Sequence, residues 1–380
     1  MIPRTLFSPE HEVFRTQVRR FMAQEVTPYR ERWEEQQHVD RSIWARAGEL
    51  GFLCTAIPAE YGGMGGDRLH STIMIEEAAY AAESSLGFAL HSDIVASYVL
   101  NFGTESQKRH WLPKLAIGET IGAIAMTEPG TGSDLQAVKT TAVVDGDDYI
   151  INGSKIFITN GYLSDLVIVV AKTGSSGNGA QDISLLLVEA NRAGFSKGKP
   201  LKKIGMKGQD TCELFFEDMR VPRSNLLGEV EGQGFRMLMK ELAWERMIVA
   251  ILSQSAAELS WQLAKNYTDQ RKVFGKPVGS YQYNRFKLAE MRTEIAIGRV
   301  FVDRCLELVL GDQLGEDVAA AAKLWVTEMQ GRVTDECLQL HGGYGYMLEY
   351  PIARIYTDMR AQRIYAGTNE IMREVVARSM

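Results

Sequence analysis

Apolar residues in the first third of the chain recur every three or four positions. Phe14, Val18, Phe21 and Met22 form one such stripe, and a similar pattern runs from Ile73 through Leu100. That is the spacing of helices with one buried face. Breaks such as IPAEYGGMGGD, rich in glycine and proline, separate these stretches. Near residue 122 the period shortens. IGAIAM, TTAVVD, DYIIN, SKIFIT, DLVIVVAK, DISLLLVE and CELFFEDMRV are short, rich in β-branched and aromatic residues, and punctuated by DGDD, NG and GSSGNG. These seven segments predict a compact antiparallel β unit, and the lack of alternating helices argues against a doubly wound sheet. From GQGFRMLMKELAWER the helical period returns and lasts to the C-terminus, broken at FGKPVGS, GDQLGED and HGGYGYMLEYP. The longer segments suit an antiparallel bundle.

The predicted order is α, then β, then α, with units at 1–122, 123–231 and 232–380. The middle unit is too small to bury both faces alone. It should pack against the helices, leaving a cleft at the junction, a common place for a large cofactor.

Composition narrows the classes. With 380 residues, 45% of them hydrophobic and 24% charged, the chain is an ordinary globular one. Its net charge of −6 opposes a sequence-independent grip on nucleic acid. Cys54, Cys212, Cys305 and Cys337 lie far apart with no CxxC, which suggests reduced thiols in a cytoplasmic protein. The six histidines form no HExxH and no pair at metal-ligand spacing, so no metal site is expected. The N-terminus has no apolar signal-peptide core; it reads as a helix start, with Ser8 as N-cap and Pro9 at the first helical position. No run approaches the ~18 apolar residues of a membrane span.

Five stretches carry candidate chemistry, each with an ordinary alternative. AMTEPGTGSD follows a predicted strand, and Gly130, Gly132 and Ser133 would let backbone N–H groups and a hydroxyl face an anion. The ordinary alternative is a polar turn. In KIFITNG, Phe157 and Thr159 share a strand face that suits a flat heteroaromatic ring and its polar edge, although strand packing explains it equally well. QRKVFGKPVGSYQ joins two predicted helices and gathers Arg271, Lys272 and Lys276, a diphosphate partner or a solvated basic loop. In LQLHGGYGYMLEYP the glycines end a helix, and His341 alone earns no catalytic role. In RIYAGTNEIMRE, Thr368 can cap a helix and Gly367 lets the chain turn.

In order, spacing and wording, these five stretches resemble the acyl-CoA dehydrogenase family of flavoproteins, from about residue 8 to 380. The resemblance implies an N-terminal helical domain, a central β domain and a C-terminal four-helix bundle, with FAD between the last two. By motif it implies flavin contacts from Met126, Thr127, Gly132, Ser133, Phe157, Thr159, Thr368 and Glu370. It implies further that Arg271, Phe274 and Gln282, with Gln339, Leu340, His341, Gly342 and Gly343, reach FAD held by a neighbouring subunit. A homodimer is then the minimum, and a dimer of dimers the usual state.

The implied chemistry turns an acyl-CoA into the trans-2-enoyl-CoA, with an electron-transferring flavoprotein as acceptor. Many family members carry the proton-accepting Glu in a YEGT turn; here the turn is YAGT. The long-chain and isovaleryl-type branches have a small residue there and a Glu immediately before an Arg on a helix. In ELAWERMIVA that Glu is Glu245, followed by Arg246, which should face the CoA moiety. Glu241 is the rival carboxylate, one helical turn away. Ala366 would supply its backbone N–H to the thioester oxygen, with Ser133 and Gly367 also at the substrate. Ala243 stands where some relatives have a CoA-binding Asp, which puts that contact in doubt. The wording of KIGMKGQDTCELFFEDMRVP and LQLHGGYGYMLEYPIARIYTDMR is closest to the long-chain type. A branched short-chain enzyme is the alternative, followed by a non-catalytic flavoprotein that associates with nucleic acid.

Overall fold

Ser8 accepts a hydrogen bond from the His11 N–H, and its own N–H donates to His11 Nδ1. This capping box opens α1 (Pro9–Phe21) at the predicted position. The computed structural model describes residues 2–174, 176–177 and 179–380; within the predicted GSSGNG turn, Ser175 and Asn178 lie outside the described residues. The stripe of Phe14, Val18, Phe21 and Met22 is buried against Trp33, Trp44, Phe52 and Ile73. Helices α2 (Arg30–Gln36), α3 (Arg41–Glu49), α4 (Arg68–Tyr80), α5 (Ala96–Phe102) and α6 (Glu105–Ala116) complete an N-terminal helical domain.

The apolar pattern from Ile73 to Leu100 is not one helix. α4 stops at Tyr80, Ala82 turns with φ 52°, and the chain regains helix through a π-helical stretch, Leu90–Val95. The Glu83 carboxylate accepts from the Ser85 N–H at 2.7 Å, a local bond that competes with the helical ladder.

The central domain holds β1 (Gly122–Ala125), β2 (Thr141–Asp145), β3 (Asp148–Thr159), β4 (Leu166–Lys172), β5 (Ile183–Glu189), β6 (Phe195–Lys197) and β7 (Thr211–Pro222). The sheet order is β1-β4-β2-β3-β7-β6, with β5 on β4. Most pairings are antiparallel, but β1 runs parallel to β4. The predicted DYIIN and SKIFIT are one strand, β3, whose pairing with β7 shifts at Ile151/Gly153 and again at Lys155/Ile158. β6 has three residues, too few for periodicity to reveal. β4 and β5 are largely apolar, with buried residues on both faces, because both faces are covered. Val167, Val169 and Leu186 enter the core of the β domain, while Ile168, Leu185 and Leu187 meet Val95, Val99 and Leu112 of the helical domain.

The C-terminal bundle follows: α7 (Gly234–Gln270), a hairpin of β8 (Lys272–Val273) and β9 (Lys276–Pro277), α8 (Gln282–Leu310), α9 (Glu316–Leu340), α10 (Pro351–Asp358) and α11 (Asn369–Arg378). Met247, Ile251, Leu288, Ile295, Val326 and Met329 fill its core. α7 and α9 run parallel, as shown by Ser260 Oγ 3.2 Å from Thr334 Oγ1 and by Tyr267 stacked on His341 at 4.7 Å. Among the described residues no helix is long and apolar enough to cross a membrane.

Buried charges join the two helical domains. Arg299 of α8 donates at 2.8 Å to Glu76 of α4 and at 2.8 Å to Glu258 of α7; Arg15 of α1 reaches Glu76 at 2.8 Å. Glu76 is fully buried. Replacing Arg299 by Met takes the shared cation from both carboxylates; Glu76 keeps Arg4 and Arg15, and the expected cost is about 3 kcal/mol, the low end for a broken buried pair. Chemical denaturation checks this; a loss under about 1 kcal/mol would show that the carboxylates find other partners.

Candidate active site

A cavity of about 1240 Å³ opens where the three domains meet. On its β side, the loop after β1 is held from beneath by Lys155. This lysine is fully buried and donates to Met126 O at 3.0 Å and to Glu128 Oε1 at 2.9 Å. Burial pulls its pKa down to about 8, against the opposing charge of Glu128. The Ile156 N–H also donates to Thr127 O at 2.9 Å, fixing Met126 and Thr127 against β3. One residue on, the bulge puts Phe157 at φ 61° and leaves its ring 64% exposed in the cavity wall. An exposed aromatic at a positive φ is held there by its surroundings, not by its own preference. Thr159, Gly132 and Ser133 line the same wall. The Thr127, Ser133 and Thr159 hydroxyls have no hydrogen-bond partner among the described residues, and neither do the N–H groups of Gly132 and Ser133. Only a single 3-10 turn, Leu135–Ala137, follows this loop.

The helical wall is a stripe of α7: Leu242, Glu245, Val249, Leu252 and Ala256. Glu245 is buried and accepts from the Tyr98 hydroxyl at 3.0 Å. Burial pushes its pKa up to about 7; the Tyr98 hydrogen bond opposes the rise, and the neighbouring Glu241 adds to it. Glu241 itself is outside the cavity lining, held by Asn101 Nδ2 at 2.8 Å. Arg246 also lines the cavity; it is buried, and its Nε and Nη1 have no partner among the described residues.

Opposite runs the turn Ala366–Gly367–Thr368, all three in the lining. Ala366 has φ 53° and Gly367 φ 85°. Lys323 of α9 anchors this left-handed turn, donating to Gly367 O and Asn369 Oδ1, each at 2.8 Å. Thr368 then caps α11 by accepting from the Ile371 N–H. The Ala366 N–H has no acceptor among the described residues.

Other predicted residues stay out of this cavity. Glu370 is exposed on the first turn of α11, beside Arg373. Arg271 and Phe274 lie on the exposed connection between α7 and α8, Gln282 opens α8 beside it, and Phe274 is 97% exposed. Gln339, Leu340, His341, Gly342 and Gly343 end α9 at the same end of the bundle, since His341 stacks on Tyr267. The His341 ring is buried and sits 2.7 Å from Cys337 O, so its side chain is already used internally.

Sequence reasoning missed Tyr98, Lys155, Lys323 and Asn369. Tyr98 read as one more apolar position, and a lysine in a strand reads as solvent-facing. The fold also gathers His11, Asp67 and His70, which no spacing in the chain suggested. Both rings serve helix caps: the Ser8 N–H lies 3.1 Å from His11 Nδ1 and the Asp67 N–H 3.2 Å from His70 Nδ1. The other nitrogen of His11, Nε2, lies 3.2 Å from Asp67 Oδ1.

Sequence models of the acyl-CoA dehydrogenase N-terminal, middle and C-terminal domains match residues 8–119, 123–219 and 232–380. The chain belongs to the acyl-CoA dehydrogenase family, whose members are flavin-dependent oxidoreductases. It is 52% identical to the mitochondrial long-chain specific acyl-CoA dehydrogenase of Sus scrofa over 378 residues, 99% of this chain and 88% of that one. The crystal structure of an acyl-CoA dehydrogenase from Geobacillus kaustophilus superposes with a TM-score of 0.97 at 49% identity, covering 99% of both chains. An acyl-CoA dehydrogenase complexed with FAD, from Bacillus anthracis, gives 0.92 at 33% identity, covering 98% of this chain and 67% of that one.

The environment of Glu245 predicts two opposite shifts. Tyr98→Phe removes the hydrogen bond to the carboxylate and should move the Glu245 titration above about 7. Glu241→Gln removes a like charge and should move it below. The carboxyl band in infrared spectra, followed with pH, reads both; shifts of one sign in both variants would contradict this account.

Proposed function

We propose that the protein is an FAD-dependent dehydrogenase of medium- to long-chain acyl-CoA thioesters, with Glu245 as the acceptor of the α proton. The observation that carries this is a buried carboxylate with its pKa near 7, in a cavity that also holds an unused backbone donor at Ala366. The rival Glu241 is outside that cavity.

The β-side wall fits FAD. Phe157 offers an uncovered aromatic ring; the hydroxyls of Thr127, Ser133 and Thr159 and the N–H groups of Gly132 and Ser133 have no partner among the described residues, and Met126 and Thr368 line the same cavity. When bound, the flavin supplies the acceptor for the hydride that leaves the substrate Cβ. The chain's own residues do the rest. The Ala366 N–H donates to the thioester oxygen and stabilises charge that develops as the α proton leaves. Glu245, poorly solvated, takes that proton. Its carboxylate must be ionised, so flavin reduction should quicken as pH rises through about 7. The methyl of Ala366 leaves the space that a carboxylate would need at that turn. Arg246, with two unpaired guanidinium nitrogens, is a binder for the CoA portion.

Support for a longer acyl chain comes from the α7 stripe, which continues from Glu245 past Val249 and Leu252 to Ala256, about 16 Å. The long-chain relatives agree with it. A second copy of the chain is the proposed target of the exposed α7–α8 connection and the end of α9. Arg271 there has no carboxylate partner among the described residues. An electron-transferring flavoprotein is the proposed electron acceptor, and the four free, buried cysteines suit a reducing, cytoplasmic setting.

Glu245→Gln keeps the shape of the side chain but cannot accept a proton. It should retain FAD and bind product, yet reduce flavin at least ~100-fold more slowly. Anaerobic stopped-flow bleaching with acyl-CoA measures it; a wild-type rate would transfer the role to Glu241. Arg271→Ala should lose a charge-assisted contact of ~1.5–3 kcal/mol. Flavin content after dialysis and thermal stability should then fall together, and unchanged flavin content would make the loop a solvated surface only.

A further inference from the structure

We propose that the far end of the cavity is a hydrogen-bonding subsite built on Gln330, which selects acyl thioesters carrying a neutral hydroxyl or carbonyl oxygen near the tail. This rests on the dehydrogenase reading and names a substrate class within it. Gln330 of α9 is 1% exposed and lines the cavity, yet neither its Oε1 nor its Nε2 has a partner among the described residues. Buried amides are normally paired, so a free one in a cavity wall points to a ligand.

Its depth follows from the parallel helices. Ser260 meets Thr334, and Tyr267 stacks on His341. The two pairs have the same offset along the chain, and that offset sets Gln330 level with Ala256, the last residue of the α7 stripe. Glu245 and Ala256 are about three turns apart, about 16 Å, so the oxygen belongs on the order of ten carbons from the thioester. The rest of this region is apolar or already paired. Ile75, Ala78, Ala79 and Leu252 line the cavity as well, and Gln362 is engaged by Ser253.

The chemistry of the group follows from the amide. Gln330 is uncharged and offers both a donor and an acceptor, which matches a hydroxyl and half-matches a carbonyl. A carboxylate would be buried without a counter-charge. Arg363, beside Gly331 on the same helix, is taken up by Glu328 at 3.4 Å and is absent from the cavity lining. A plain methyl-ended tail would leave the amide stranded, so it should bind less well than its hydroxylated counterpart.

The test uses the purified holoenzyme with dodecanoyl-CoA and ω-hydroxydodecanoyl-CoA, scored by thermal shift and by anaerobic flavin bleaching. The wild type should bind the hydroxylated thioester about fivefold more tightly. Gln330→Met, close in volume but without hydrogen bonds, should bind the plain one as well or better. Equal binding of the two thioesters by the wild type, as when an ordered water satisfies Gln330, would sink the proposal. So would a wild-type preference that survives in Gln330→Met. Should the variant fail to fold, the wild-type ratio alone decides. If neither thioester bleaches the flavin, the dehydrogenase reading falls and the subsite with it; bleaching by both without discrimination removes only the subsite.

Discussion

Arg299 sits between Glu76 of the N-terminal helical domain and Glu258 of the bundle, and the seam between those domains depends on that contact. Two carboxylates packed side by side would repel and shed little of their charge to water at such depth. One guanidinium, with five donors in a fixed plane, satisfies both and holds α4, α7 and α8 at one spacing. The cavity opens along the same helices, so the width of its helical wall is set by this ion cluster. Lys155 and Lys323 extend the principle. Each is a fully buried cation that pins an irregular backbone stretch, one beneath Met126 and the other beneath Gly367.

Against that background of paired buried groups, the cavity stands out by what is left unpaired. Among the described residues, Glu245 is hydrogen-bonded only by Tyr98, two nitrogens of Arg246 and the amide of Gln330 have no partner, and the Ala366 N–H has no acceptor. Phe157 and Ala366, two of the non-glycine residues at positive φ in its walls, are in the same position energetically: each is costly alone and is fixed by neighbours. Polar groups left open together in one cavity wall are preorganised for a ligand. Water need not be rearranged at the moment of reaction.

Much of the architecture was legible because local pattern and global environment agree. The α1 cap, the three-part order of helix, strand and helix, and the loops between the long C-terminal helices follow from spacing and turn chemistry. The pattern misled where tertiary contacts intervened. The helical spacing from Ile73 to Leu100 does not show where the chain breaks; Glu83 bonds the backbone of Ser85 and the helix is interrupted there. DYIIN and SKIFIT read as two strands, since an Asn-Gly pair marks a turn; opposite β7 that pair is accommodated by a bulge instead.

The chain's wording singled out Glu245, Ala366 and the loop at Met126 to Ser133 as candidates, because these short stretches keep their chemistry in adjacent residues. It could not show that Glu245 lines the cavity while Glu241, one turn away, does not. That depends on which face of α7 the neighbouring helices leave open. Nor could it single out Tyr98, Lys155, Lys323 or Gln330, whose side chains act on groups far away in the chain. Residue type and spacing determined the elements and the candidate chemistry. The meeting of distant helices decided which buried carboxylate faces the cavity, and burial there raises the pKa of Glu245.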